Sequence, residues 1–189
     1  LKERAPAVTV VLGGPEISGD NRWVLESGPV DVAVCGEGET AFCELLESLD
    51  ASTAPRAAGG PAACIGASGP PMQLDDLSSP YLAGILPVGD GDPFLLETTR
   101  GCVFGCRFCH YPKGLVGTRR LSAAAILENL AAARQGGAQE VFLLDPTLNQ
   151  RGDFAELVDL LARGNPDRRM EYHAELRAEG IRPDVARRM

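Results

Sequence analysis

Cys102, Cys106 and Cys109 stand in the run GCVFGCRFCH with three and then two residues between them, a CxxxCxxC spacing. Thiolates hold iron-sulfur clusters and zinc, and several on one short loop can converge on a single centre. A cubane cluster ordinarily takes four thiolates, so a trio with no fourth nearby leaves one iron open to bind and reduce something. Structural zinc is the competing chemistry, with His110 or His173 closing a tetrahedron, although adjacent Cys109 and His110 are awkward as joint ligands. Cys35, Cys43 and Cys64 have no metal-like spacing and are expected as separate buried thiols. Six cysteines so distributed do not make a secreted disulfide framework.

The elements around this loop read as an α/β chain. Residues 94–97 form an expected strand that feeds the cysteine loop, and a helix is expected over 122–135, stopped by Gly136-Gly137. The continuous apolar run at 139–144 is a buried strand ending at Asp145-Pro146. Asp153 and Glu156 make a capping-box pattern for a helix carrying Phe154, Leu157, Val158 and Leu161, which Gly164 closes. A further strand over 170–176 and a helix entered at Pro183-Asp184 complete three strand-helix units, too few to close an eightfold barrel.

Upstream, residues 7–12 read as a strand halted at Gly13-Gly14-Pro15. A second strand over 31–35 breaks at Gly36-Glu37-Gly38, and Phe42, Leu45, Leu46 and Leu49 follow at helical spacing. Ala, Gly, Pro and Ser then dominate as far as Pro93. The expected domains are therefore 1–50, a linker over 51–92, and 93–189. Within that linker the run DDLSSPYLAG is patterned enough to be expected against a neighbouring surface.

Of 189 residues, 44% are hydrophobic and 23% charged, the balance of a chain that builds a core. No apolar run approaches the roughly 20 residues of a membrane span and no secretory leader opens the chain, so a cytoplasmic location without membrane attachment is expected. A net charge of -8 argues against nucleic acid as a partner. Starting at Leu1 and stopping at Met189, just as a helix begins, the chain reads as a piece of a longer protein.

The run TTRGCVFGCRFCHYPKG resembles the signature loop of the radical S-adenosylmethionine superfamily. That resemblance implies a 4Fe-4S cluster on Cys102, Cys106 and Cys109 at the C-terminal end of the first strand of a TIM-type barrel, with Phe108 as the aromatic preceding the last ligand. It implies that the open iron chelates S-adenosylmethionine and that reductive cleavage gives a 5'-deoxyadenosyl radical, with flavodoxin or ferredoxin as electron donor. Many members carry a GGE-like sequence after the second barrel strand, where this chain has Asp145-Pro146-Thr147. Asp145 is either a cofactor contact or a turn cap. Glu175 and Arg177, two apart in an expected strand, share a face and either meet the cofactor or pair with each other.

VVLGGPEISGD and DVAVCGEGETAFCELLESL resemble the second half of the Rossmann-like cobalamin-binding domain attached to many radical enzymes. Gly13 and Gly14 would then line the cofactor tail, or else form an ordinary tight turn. The combined order resembles cobalamin-dependent radical enzymes, most often methylases acting on an unactivated carbon of a small-molecule or peptide substrate. Radical cyclisation or rearrangement, a methylthiotransferase acting on transfer RNA, and a non-enzymatic zinc module are the other readings.

Overall fold

The computed structural model describes residues 2–18, 20–27, 29–50, 62–66, 70–89, 91–111, 115 and 117–189. The chain divides into two compact units, Leu1–Pro71 with Cys106–Val116, and Met72–Gly105 with Gly117–Met189.

In the first unit, β1 (Val11–Leu12) leads through α1 (Arg22–Ser27) to β2 (Val32–Val34), and α2 (Gly38–Asp50) leads to β3 (Ala63–Ile65). The three strands make a parallel sheet in the order β1-β2-β3, with Val11 opposite Val32 and Val32 opposite Ala63. All three residues of β2 are buried, as a central parallel strand covered on both faces demands. Val32 and Val34 pack with Ala41 and Leu45 of α2, whereas Ala33, pointing the other way, packs with Ile17 and Ala62 and against Val24 and Leu25.

Two expectations are corrected here. The expected linker over 51–92 supplies β3, a three-residue strand too short to stand out from its Ala- and Gly-rich surroundings; its residues 51–61 lie outside the described residues. Cys35 and Cys64, expected as separate thiols, are joined in a disulfide, because pairing of β3 beside β2 brings their Cα atoms to 6.4 Å. Cys43 is free and exposed on α2.

The second unit is built on β4 (Phe94–Leu96). A two-stranded antiparallel ribbon follows, β5 (Thr99–Arg100) with β6 (Arg119–Arg120), then α3 (Ala123–Gly136), β7 (Glu140–Leu143), α4 (Phe154–Gly164), β8 (Glu171–Ala174) and α5 (Pro183–Ala186). β4, β7 and β8 form a parallel sheet in that order, with Phe94 opposite Val141 and Glu140 opposite Glu171. Alternation along β7 sends Val141 and Leu143 into a core with Phe94, Leu96, Ile126, Leu130, Leu157 and Leu161. Burial of this one face, at about 25 cal/mol per Å² of apolar surface, is the main force holding α3 and α4 to the sheet. The Ser122 hydroxyl accepts from the Ala125 N–H at 3.2 Å to cap α3, and Gly137, at φ +83°, ends it.

The DDLSSPYLAG run packs as expected, on the second unit. The Asp75 carboxylate accepts from the Ser122 N–H at 3.1 Å, and the Ser79 hydroxyl lies 2.6 Å from Asn129 Oδ1. Tyr81 stacks on Phe94 with ring centroids 4.1 Å apart, while its hydroxyl accepts from the Leu95 N–H. Among the described residues no helix is long and apolar enough to cross a membrane.

Candidate metal centre

The cysteine loop leaves the sheet through the β5–β6 ribbon. Gly101 has φ +93°, and a Cβ there would lie 2.1 Å from the Gly117 carbonyl oxygen, so the turn into Cys102 admits no side chain. On the far side of Cys102, the Val103 N–H donates to Gln150 Oε1 at 2.9 Å, and Gln150 Nε2 donates to the Gly101 carbonyl at 3.0 Å. Cys102 falls in the second unit, while Cys106 and Cys109 fall in the first, where the Cys109 N–H donates to the Cys106 carbonyl at 3.0 Å. All three thiols are free and partly exposed.

Three free thiols are, by type, the donor chemistry of an iron-sulfur cluster. Cys35 and Cys64 are consumed by their disulfide, leaving exposed Cys43 as the other free thiol among the described residues. His110 adds a buried Nε2 with no hydrogen-bond partner among the described residues. Buried polar atoms are rarely left so, and a bound group beside Cys109 is one way to satisfy it. Phe108 is 93% exposed.

Within the second unit lies a buried polar knot. Asp145, 1% exposed, accepts from the Thr98 N–H at 2.7 Å and from the Thr98 hydroxyl at 2.6 Å. Burial pushes its carboxyl above the ordinary carboxylate range, and the bonds from Thr98 pull against that. The structure thus places Asp145 between the ends of β4 and β7, with both oxygens engaged by the protein. Buried Arg151 reaches Thr98 Oγ1 at 3.3 Å and Thr99 Oγ1 at 3.4 Å, and grips Asp153 through two bonds of 2.7 and 2.9 Å.

Asp153 occupies the cap position of α4 but makes no capping hydrogen bond, because its carboxylate is taken by Arg151. The hydrogen bond from Arg151, with Arg120 adding charge, lowers its pKa to about 2. A carboxyl depressed on folding stabilises the fold above its unfolded pKa and loses that contribution as it is protonated. Stability should therefore fall as pH drops from roughly 4 toward about 2. Denaturation midpoints across that window, compared with Asp153→Asn, check this: the variant's curve should be the flatter one.

Glu175 and Arg177 lie beyond β8, which ends at Ala174, so the expected shared strand face is absent. Arg177 instead pairs with Glu179 at 3.1 Å and lies 4.3 Å over the Phe104 ring, and Glu175 is exposed, its carbonyl accepting from the Leu148 N–H. His173, the third residue of β8, stacks on Phe142 and meets Glu140 at 3.3 Å. In the first unit Gly14 has φ +108°, and a Cβ on Gly13 or Gly14 would meet nothing within 4 Å, so the backbone after β1 is open to close approach. Sequence reasoning missed Thr98, Asn149, Gln150 and Arg151; the polar run Asn149-Gln150-Arg151 on a strand-end loop was the available signal.

A parallel sheet whose first strand delivers a three-thiol loop defines a class, and the sequence match agrees: residues 96–189, about half the chain, match the Radical SAM superfamily, to which this chain belongs. More particularly, it is 31% identical over 163 residues to the cobalamin-dependent radical SAM methyltransferase TokK of Streptomyces tokunonensis. It is 34% identical over 172 residues to the 2-(S-pantetheinyl)-carbapenam-3-carboxylate methyltransferase of Streptantibioticus cattleyicolor. Each match takes in 77% of this chain and 24% of the relative, so the chain spans about a quarter of their length. Among solved structures, the apo, selenomethionine-labelled cobalamin-dependent S-adenosylmethionine radical enzyme OxsB shares the fold at TM-score 0.63 and 17% identity, over 96% of this chain and 28% of that one. OxsB with aqua-cobalamin and S-adenosylmethionine bound gives TM-score 0.51 at 16% identity, over 87% of this chain and 25% of that one.

Proposed function

We propose that the full-length protein is a cobalamin-dependent radical S-adenosylmethionine methyltransferase acting on an unactivated carbon of a small molecule. The carrying observation is the loop of three free thiols entered through Gly101, in a segment that matches the superfamily. Two curated relatives named as methyltransferases, one of them for a carbapenam carboxylate, support methyl transfer and a small-molecule substrate. When bound, the cofactors supply an electron that splits the sulfonium of S-adenosylmethionine to a 5'-deoxyadenosyl radical, and a methyl group carried on cobalt.

The chain's own part is placement. Cys102, Cys106 and Cys109 hold the cluster as thiolates, and the β5–β6 ribbon fixes where their loop begins. Phe108 offers an apolar ring face beside the last ligand, and Gly13 and Gly14 leave backbone bare for the corrin's tail. A small one-electron donor protein of the flavodoxin or ferredoxin type completes the cycle, in the cytoplasm.

The test is anaerobic reconstitution of the full-length protein with iron, sulfide and cobalamin, then incubation with reductant and S-adenosylmethionine bearing a deuterated methyl group. Formation of 5'-deoxyadenosine and a corrin absorption spectrum that stays with the protein through gel filtration are expected. Zinc at one equivalent without iron would overturn the reading in favour of a structural metal module.

A further inference from the structure

The loop after β7 contains a device that the motif does not describe. Asn149 and Gln150, neighbours in the 3-10 turn Leu148–Gln150, turn their side-chain amides to two different loops. Gln150 faces the cysteine loop, where its amide accepts from the Val103 N–H and donates to the Gly101 carbonyl, bonding the main chain on both sides of Cys102 as a neighbouring strand would. Asn149 faces the loop after β8: Nδ2 donates to the carbonyls of Arg177 and Glu179 at 2.8 and 3.0 Å, and Oδ1 accepts from the Arg177 N–H at 3.0 Å. The Arg177 guanidinium over Phe104 ties that third loop back to the first.

We infer that Gln150 is a positioning residue for Cys102, holding this ligand's backbone in place before metal arrives, with Asn149 anchoring the same turn to the next strand-end loop. The inference rests on the reading of Cys102 as a cluster ligand. Cys102 is fixed on its N-terminal side by Gly101 and the β5–β6 ribbon, and the Gln150 amide fixes its C-terminal side. Ligands already ordered in the empty protein lose less conformational freedom on binding, so the clamp favours retention of the cluster.

The test uses full-length Gln150→Ala and Gln150→Met, the second keeping side-chain bulk without either hydrogen bond. In the metal-free proteins, iodoacetamide labelling resolved by peptide mass spectrometry should show Cys102 about five- to tenfold more reactive than in wild type, with Cys106 and Cys109 unchanged. In the reconstituted proteins, iron loss to a chelator should accelerate by a similar factor. Unchanged labelling at Cys102, or an equal rise at all three cysteines from general unfolding, overturns the inference. Failure of the underlying reading looks different: wild-type protein, or Cys102→Ala, would then behave alike in iron binding whatever Gln150 does.

Discussion

Full-length Cys102→Ala, reconstituted anaerobically, is expected to lose its 4Fe-4S cluster and, with it, production of 5'-deoxyadenosine by at least about a thousandfold. Two thiolates cannot hold a cubane that already lacks a fourth, and no other free thiol on the loop can replace the missing one. Cys43→Ala is the matched control, since this free thiol sits exposed on α2 and should leave iron content and turnover unchanged. Iron and sulfide assay alongside product analysis distinguishes the two. Retention of a full cluster by Cys102→Ala would remove this cysteine from the site.

Gly101→Ala is expected to be the most damaging substitution outside the cysteines. An alanine there adopts a left-handed backbone at a cost of about 1–2 kcal/mol, and its methyl would overlap the Gly117 carbonyl oxygen at 2.1 Å. Backbone has no rotamer to escape into, so the ribbon must part or the loop must turn elsewhere. Gly117 provides the comparison: it too has positive φ, +66°, but a Cβ there meets nothing within 4 Å. Gly117→Ala should therefore show only the conformational cost, while Gly101→Ala should lower the melting temperature further and lose most of its bound iron. Equal behaviour of the two variants would mean that the close approach between residues 101 and 117 is unimportant.

The sequence made some of this architecture readable and hid the rest for physical reasons. Helices α3 and α4 were visible because a buried stripe must recur at helical spacing, as Leu157, Val158 and Leu161 do. β7 was visible as an unbroken apolar run. The ribbon of β5 and β6 was not, since two residues pair with two others across the whole cysteine loop and carry no periodicity. β3 was hidden likewise, and with it the partner that turns Cys35 and Cys64 into a pair.

At the candidate site, the three cysteines stand out in the sequence because their spacing is that of metal ligands. The residues that aim them do not. Asp145 stood out as an acid at a strand end, yet its bonds to Thr98 come from β4 and β7 lying side by side, a tertiary fact. Gln150 matters through its reach to Gly101 and Val103; the polar run around it marks the strand-end loop but does not single out this residue or its partners. Asp153 misled for a related reason: it has the right residue type and place for a cap, and a buried arginine two positions away outcompetes the helix for its carboxylate.

A cubane held by these cysteines keeps one iron for S-adenosylmethionine, and that iron differs electronically from the other three once the ligand binds. Mössbauer spectroscopy of the full-length protein reconstituted with iron-57 tests it most directly, recorded before and after S-adenosylmethionine is added. About a quarter of the iron signal should change its isomer shift on addition while the remainder stays put. A spectrum unmoved by S-adenosylmethionine, or a protein that takes up no iron, would contradict it.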